Sequence, residues 1–326
     1  MPAIQRPIGR RAILAGAAGA AATVSLPRAG AAWRPQRPVN LVVTFAPGGA
    51  TDTHMRVFAE AAGKALGQPV TIENKAGAGG TLGAIHVKNQ RPDGHQLTLM
   101  PITVFRYQHL QSVPYDAMQD FTYIIHLTGY TFGVAVRGNS PHRTWADLLA
   151  DIRRRPGQVS YATPGANTSL HVTMEELARK EGVELIHVPY RGDAEQAQAL
   201  LGGHVDFIAA STGIAPLVDD GRLRLLNVWT PERRKRWPDV PTLLELGYGV
   251  SSTSPYGIAG PKGMDPAVVA ALHDAFKTAL MDPAHLAVLE RQDMPVLYMD
   301  STAYTAFARE QFEKERELVK RLGLKG

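Results

Sequence analysis

Short apolar runs alternate along the chain with longer segments whose apolar positions recur every three to four residues, as in strands followed by amphipathic helices. The run 39–45 is rich in β-branched residues and stops at Pro47-Gly48-Gly49. It reads as a buried strand, after which Thr51 or Asp52 can cap a helix with Met55, Phe58 and Ala62 on its apolar face. A second strand, 70–74, leads into Lys75-Ala76-Gly77-Ala78-Gly79-Gly80-Thr81 and a helix from Leu82. A third strand spans 96–100 and ends at Pro101, followed by a looser region around Tyr115-Asp116 and by apolar runs at 121–127 and 130–136. Strand–helix alternation up to residue 128 predicts a parallel sheet.

A second series begins with helix 145–155, capped by Thr144 and closed by Pro156-Gly157. Strand 159–162, helix 169–181, strand 184–188, helix 194–201 and strands 205–209 and 223–229 follow. The basic stretch within 231–241 predicts a solvated surface turn. Residues 254–259 form a second crossing strand, and helices 266–281, 283–291 and 301–322 close the chain. The predicted fold class is α/β with two lobes: lobe 1 from 33–130 plus 255–326, lobe 2 from 131–254. The two crossing strands, 130–136 and 254–259, supply a hinge.

Bulk composition changes this picture little: 326 residues, 44% hydrophobic and 20% charged, suffice for a core in each lobe. The leader changes it more. Arg10-Arg11 precedes an Ala/Gly-rich apolar run and small residues at 29–32, so residues 1–32 read as a secretory signal peptide with twin-arginine character. Those 32 residues hold Arg6, Arg10, Arg11 and Arg28 and no acid, and their removal takes the formal charge from +5 to +1. Charge thus gives no support to a nucleic-acid partner. The sequence contains no cysteine, which excludes disulfides and thiol chemistry.

Candidate chemistry points to binding. Three Gly-containing loops, at 47–49, 75–81 and 163–169, each feed a helix N-terminus. Close main-chain approach and the helix dipole make such loops sites for an anion such as a carboxylate; the alternative is that each glycine serves only its turn. No nucleophile elbow, zinc-protease or P-loop motif occurs, and Gly77-Ala78-Gly79-Gly80-Thr81-Leu82 fails the dinucleotide fingerprint at Leu82. His171 and Glu175, four apart on a helix, lack a third metal ligand. Asp193 and Asp206 as an acid/base pair come with no nucleophile.

With these segments assembled, the chain resembles the Bug (TctC-like) family of extracytoplasmic solute receptors, the binding components of tripartite tricarboxylate transporters. The resemblance rests on Phe45-Ala46-Pro47-Gly48-Gly49-Ala50-Thr51-Asp52, Glu73-Asn74-Lys75-Ala76-Gly77-Ala78-Gly79-Gly80 and Pro114-Tyr115-Asp116 with Asp120-Phe121. It continues through Tyr161-Ala162-Thr163-Pro164-Gly165, Val188-Pro189-Tyr190-Arg191-Gly192, Leu201-Gly202-Gly203-His204-Val205-Asp206 and Asp239-Val240-Pro241-Thr242. It implies a periplasmic-binding-protein type II (Venus flytrap) fold, no cofactor, and a small carboxylate held by main-chain groups and waters. Carried over, the ligand contacts are Gly48, Gly49, Asp52, Gly79 and Gly80 in lobe 1. In lobe 2 they are Gly165, Asn167, Thr168, Ser169, Tyr190, Gly192 and Asp206.

Asp193 departs from the family pattern, which commonly has a small neutral residue there. Facing the cleft, it disfavours a second carboxylate and favours an ammonium or hydroxyl; otherwise it caps the helix from Ala194. The expectation is a monomeric periplasmic receptor that hands a carboxylated metabolite to membrane permease subunits. The rival readings are an exported hydrolase-like enzyme using Asp52, Asp193 or Asp206, the effector-binding half of a regulator, and a solute sensor without transport.

Overall fold

In the computed structural model, which describes residues 1–3 and 33–324, the alternating pattern resolves into two sheets. The expected signal peptide, 1–32, lies outside the described residues beyond its first three. In chain order the elements begin β1 (Val39–Val43), α1 (Ala50–Leu66), β2 (Val70–Asn74), α2 (Leu82–Val87), β3 (Gln96–Met100), α3 (Thr103–Leu110) and β4 (Phe121–Tyr130). Next come β5 (Phe132–Arg137), α4 (Trp145–Arg154), β6 (Ser160–Thr163), α5 (Ser169–Glu181), β7 (Ile186–Pro189), α6 (Asp193–Leu201), β8 (Phe207–Ser211), α7 (Ala215–Asp219) and β9 (Leu223–Val228). The chain closes with β10 (Ser254–Pro261), α8 (Pro266–Leu280), α9 (Pro283–Arg291), β11 (Val296–Met299) and α10 (Ser301–Leu322).

One sheet has the order β11-β4-β10-β3-β1-β2 and the other β7-β6-β8-β5-β9. Leu41 pairs in parallel with Ile72 on one side and Leu97 on the other, and the burial of Leu41, Val42 and Val43 on both faces accounts for the unbroken apolar run. The wholly parallel sheet expected from the pattern is corrected to a mixed one. β10 returns from the far end of the chain and pairs antiparallel with both β3 and β4.

The expected helix faces form the core. Met55, Phe58 and Ala62 of α1 are buried, and the Phe58 ring lies 5.5 Å from Phe276 of α8. α4 carries a full capping box, in which the Thr144 side chain accepts from Asp147 N–H and Asp147 reaches back to Thr144 N–H. At α1 the expected cap is wrong: Gly49 takes that position with no side-chain bond. The apolar run 130–136 is two strands, because the chain changes sheet at Thr131. Its hydroxyl donates to Asp293 O at 3.0 Å, and its carbonyl accepts from Thr212 N–H at 2.8 Å.

Two further expectations change. The looser region after Pro101 contains α3, and the basic stretch after Pro231 is a solvated face only in part: Arg233 and Lys235 are exposed, while Arg234 and Arg236 are half-buried. Arg234 makes two bonds to the Asp293 carboxylate, at 2.6 and 3.0 Å, and Arg236 donates to the last carbonyls of α9, Glu290 O at 3.1 Å and Arg291 O at 2.7 Å. Guanidinium groups suit carboxylates and helix C-termini, and here both come from the α9 end of the chain. Among the described residues no helix is long and apolar enough to cross a membrane.

Candidate functional site

The first turns of α1 and α5 point into one cavity between the two sheets. Gly49, Ala50 and Thr51 line it from α1, and Thr168, Ser169 and Leu170 from α5. Phe45, Pro101, Tyr130, Phe132 and Pro164 supply apolar walls, while Thr103, Ser211 and Ser254 add hydroxyls. The first N–H groups of a helix have no intrahelical acceptor, so α1 and α5 offer main-chain donors to the cavity. Among the described residues, Asp193 is the only charged side chain in the lining. Burial pushes its carboxyl above the usual range, and hydrogen bonds from Ser211 and Gln196 offset part of that effect.

The glycine loops meet across the cleft. Ala46 N–H donates to Arg191 O at 3.2 Å, and a β-carbon on Gly192 would lie 3.4 Å from Ala46 N. The other two loops face each other likewise, with a β-carbon on Gly165 coming 3.3 Å from the Gly79 α-carbon. Of the residues anticipated from sequence, Gly49, Thr168, Ser169 and Asp193 line the cavity. Gly80 sits directly behind it, because a β-carbon there would strike Phe45 and Pro101. Gly48, Gly79, Gly165, Asn167 and Gly192 form the loops at its rim.

Three anticipated residues stand elsewhere. The Asp52 carboxylate accepts from Gly48 N–H at 2.9 Å, Asn74 Nδ2 at 2.9 Å and Arg56 Nε at 2.9 Å, which braces the glycine turn from behind. Burial alone would raise its pKa, but the bonds from Arg56, Gly48 and Asn74 outweigh that and hold it below the usual range. Tyr190 donates its N–H to Thr163 O at 2.9 Å and packs against the lobe 2 core. Asp206 accepts from Ser160 N–H at 2.8 Å and Ser160 Oγ at 2.9 Å. It precedes β8 whereas Asp193 contacts Ser211 at the end of that strand, about 16 Å away at about 3.3 Å per residue. The two aspartates therefore form no acid/base pair. Asp193 is not a helix cap either: Gly192 holds that position and Asp193 is the first residue of α6. His171 and Glu175 gather no third ligand, and no group of His, Asp and Glu fit for a metal occurs among the described residues.

Sequence reasoning missed Arg106 and Tyr107, both on α3. Arg106 is buried, donates to Asn167 O at 2.9 Å and Ser169 Oγ at 3.2 Å, and pairs with Glu315 of α10 at 2.6 Å. Tyr107 Oη donates to Ala166 O at 2.9 Å. A helix signal was present in the spacing of Val104, Phe105 and Tyr107. A second network lies behind the cavity, where the Tyr130 ring stacks on Tyr256 at 4.7 Å and its hydroxyl meets Thr51 Oγ1 at 2.6 Å. His285 Nδ1 faces Leu280 O, which only accepts, so its Nε2 accepts from His54 Nδ1–H at 3.1 Å. His54 Nε2 is then left to accept from the Tyr256 hydroxyl at 2.5 Å.

Residues 54–324 match the family model described as "Tripartite tricarboxylate transporter family receptor". The chain belongs to this receptor family. It is 45% identical over 321 residues to a Cupriavidus necator protein described as "UPF0065 protein in gbd 5'region", covering 97% of this chain and 98% of that one. The solved periplasmic binding protein BugD superposes with a TM-score of 0.85 at 31% identity, covering 89% of the receptor and 99% of BugD. MatC from Rhodopseudomonas palustris with bound malate gives 0.81 at 28% identity, covering 87% and 99%. The receptor thus has the two-lobed periplasmic-binding-protein fold with two mixed sheets. It is a solute receptor and not an enzyme.

Proposed function

We propose that the receptor binds a small carboxylated metabolite between its lobes in the periplasm and presents it, as a monomer, to the permease subunits of its transporter. The observation that carries this reading is the convergence of the α1 and α5 N-termini on a cavity with no cationic lining residue among the described residues. A carboxylate bound there is met by main-chain N–H donors and by the positive ends of two helix dipoles, the latter worth about 0.3–1 kcal/mol each. The Ser169 and Ser254 hydroxyls, whose protons are not spent on a carbonyl, complete its hydrogen bonding, and the aromatic and proline walls take its carbon skeleton. That the relative MatC is solved with bound malate is consistent with such a ligand.

In this reading the lobes divide as 33–130 plus 255–326 and 131–254, residues 1–32 direct export, and Thr131 with the segment before β10 is the hinge. Gly49, Gly80, Thr168, Ser169 and Asp193 touch or directly back the ligand; Gly48, Asp52, Gly79, Gly165, Asn167 and Gly192 shape the loops. A thermal-shift screen with mono-, di- and tricarboxylates, amino acids and aromatic acids tests it. A ligand at about a hundred times its Kd adds roughly 2.7 kcal/mol, a rise of a few degrees. A saturable rise with one carboxylate class supports the reading, and no rise with any acid at millimolar concentration refutes it.

A further inference from the structure

Asp193 is an anomaly in a site built for anions. Its Oδ2 accepts from Ser211 Oγ at 2.6 Å, and its Oδ1 accepts from Gln196 Nε2 at 2.7 Å and Ser211 N–H at 3.5 Å. All three donors are neutral. No Lys, Arg or His pairs with it among the described residues, and none lines the cavity it faces. The Ser211 hydroxyl spends its proton on Asp193, so toward the cavity both groups present lone pairs. This acceptor cluster lies beside the donor cluster. A β-carbon on Gly49, at the start of α1, would come 3.9 Å from Asp193 N, at the start of α6. The N-termini of α1 and α6 are therefore neighbours, and Gly49, Asp193 and Ser211 line the same cavity.

Resting on the carboxylate-receptor reading above, we propose that Asp193 makes the receptor selective for α-amino acids, gripping the ligand ammonium while the α1 N-terminus takes the adjacent carboxylate. The ammonium supplies the positive charge that the protein withholds from Asp193, and in an α-amino acid it sits on the carbon next to the carboxylate that the α1 N-terminus takes. A second ligand carboxylate at this point meets like charge in a site largely cut off from water. Burial already raises the Asp193 pKa, and a bound cation would reverse that shift.

The test is calorimetric titration of the purified receptor with matched pairs: aspartate and succinate, glutamate and glutarate, phenylalanine and 3-phenylpropionate. The amino acid of the pair whose skeleton binds is expected to bind roughly tenfold or more tightly than its deaminated partner, the scale of a charge-assisted hydrogen bond. Asp193→Asn keeps the shape and removes the charge, and is expected to bring the two partners within a few-fold of each other. Asp193→Ser is the second variant, and melting curves establish that each variant is folded. A deaminated acid binding as tightly as its amino partner overturns the inference while leaving the carboxylate reading standing, as does a preference that survives in a folded Asp193→Asn protein. Failure of every acid in all three pairs overturns both.

Discussion

Arg106→Met perturbs the contact that ties α3 to the loop before α5. The guanidinium is 2% exposed and its partner Glu315 is 9% exposed, so the substitution strands a buried carboxylate. Breaking a buried pair from one side costs about 3–5 kcal/mol, a large share of a typical domain stability. The same change removes the two bonds that Arg106 sends to Asn167 O and Ser169 Oγ, which join the lobes at the cavity rim. Each is worth about 1.5–3 kcal/mol when made by a charged donor, and water recovers part of this, leaving a loss of roughly 1.4 kcal/mol or more. Ligand affinity should then fall about tenfold or more. Replacing both partners, Arg106→Met with Glu315→Met, removes the stranded charge and should recover most of the stability while leaving affinity weak. Urea unfolding measures the first effect and calorimetric titration with the ligand found by screening measures the second. The reasoning fails if the single variant loses less than about 1 kcal/mol, or if the double variant binds like the parent.

Other outcomes follow from the same structure. Gly79→Ala places a β-carbon 2.8 Å from Tyr107 Oη and 3.1 Å from Ala166 O at a φ of +60°, so it should weaken ligand binding severalfold. Gly48→Ala, at a φ of +79° with nothing within 4 Å, should cost only stability, about 1 kcal/mol, and titration of both variants separates the effects. Asp206→Ala should leave affinity unchanged and lower stability by about 1–2 kcal/mol, since its partners are Ser160 and Arg155; weakened binding would place it in the site after all. Burial holds His54 and His285 below the ordinary imidazole range, so the folded state keeps them neutral while the unfolded chain takes up protons. Stability should be full above about pH 7 and should fall as pH drops through about 6.5 and below. A melting temperature that stays flat between about pH 7.5 and 5 contradicts this.

Much was legible from local pattern, because strands and helices declare themselves over a few residues. The β-branched run at 39–43, the stripe of Met55, Phe58 and Ala62, and the Thr144 cap each act within one element, and each stands where the pattern put it. The three glycine loops were legible for the same reason: glycine takes the left-handed turns at Gly48 and Gly79 without the steric cost other residues meet there. The family segments, in order along the chain, carried the two-lobed α/β fold.

What sequence could not supply was distance between residues far apart in the chain. Asp52 and Asp206 stand in family segments like their glycine neighbours, yet Arg56, Asn74 and Ser160 turn their carboxylates away from the cavity. Arg106 looked like an ordinary charged helix residue until α10 brought Glu315 to it across 209 positions. Within the basic stretch after Pro231, Arg234 read as solvated because its partner, Asp293, arrives from beyond α9. Side-chain ionic and hydrogen bonds are short-ranged, so which partners meet depends on how the sheets and helices pack. That packing alone set Asp193 beside the α1 N-terminus, where a carboxylate changes what the cavity can hold.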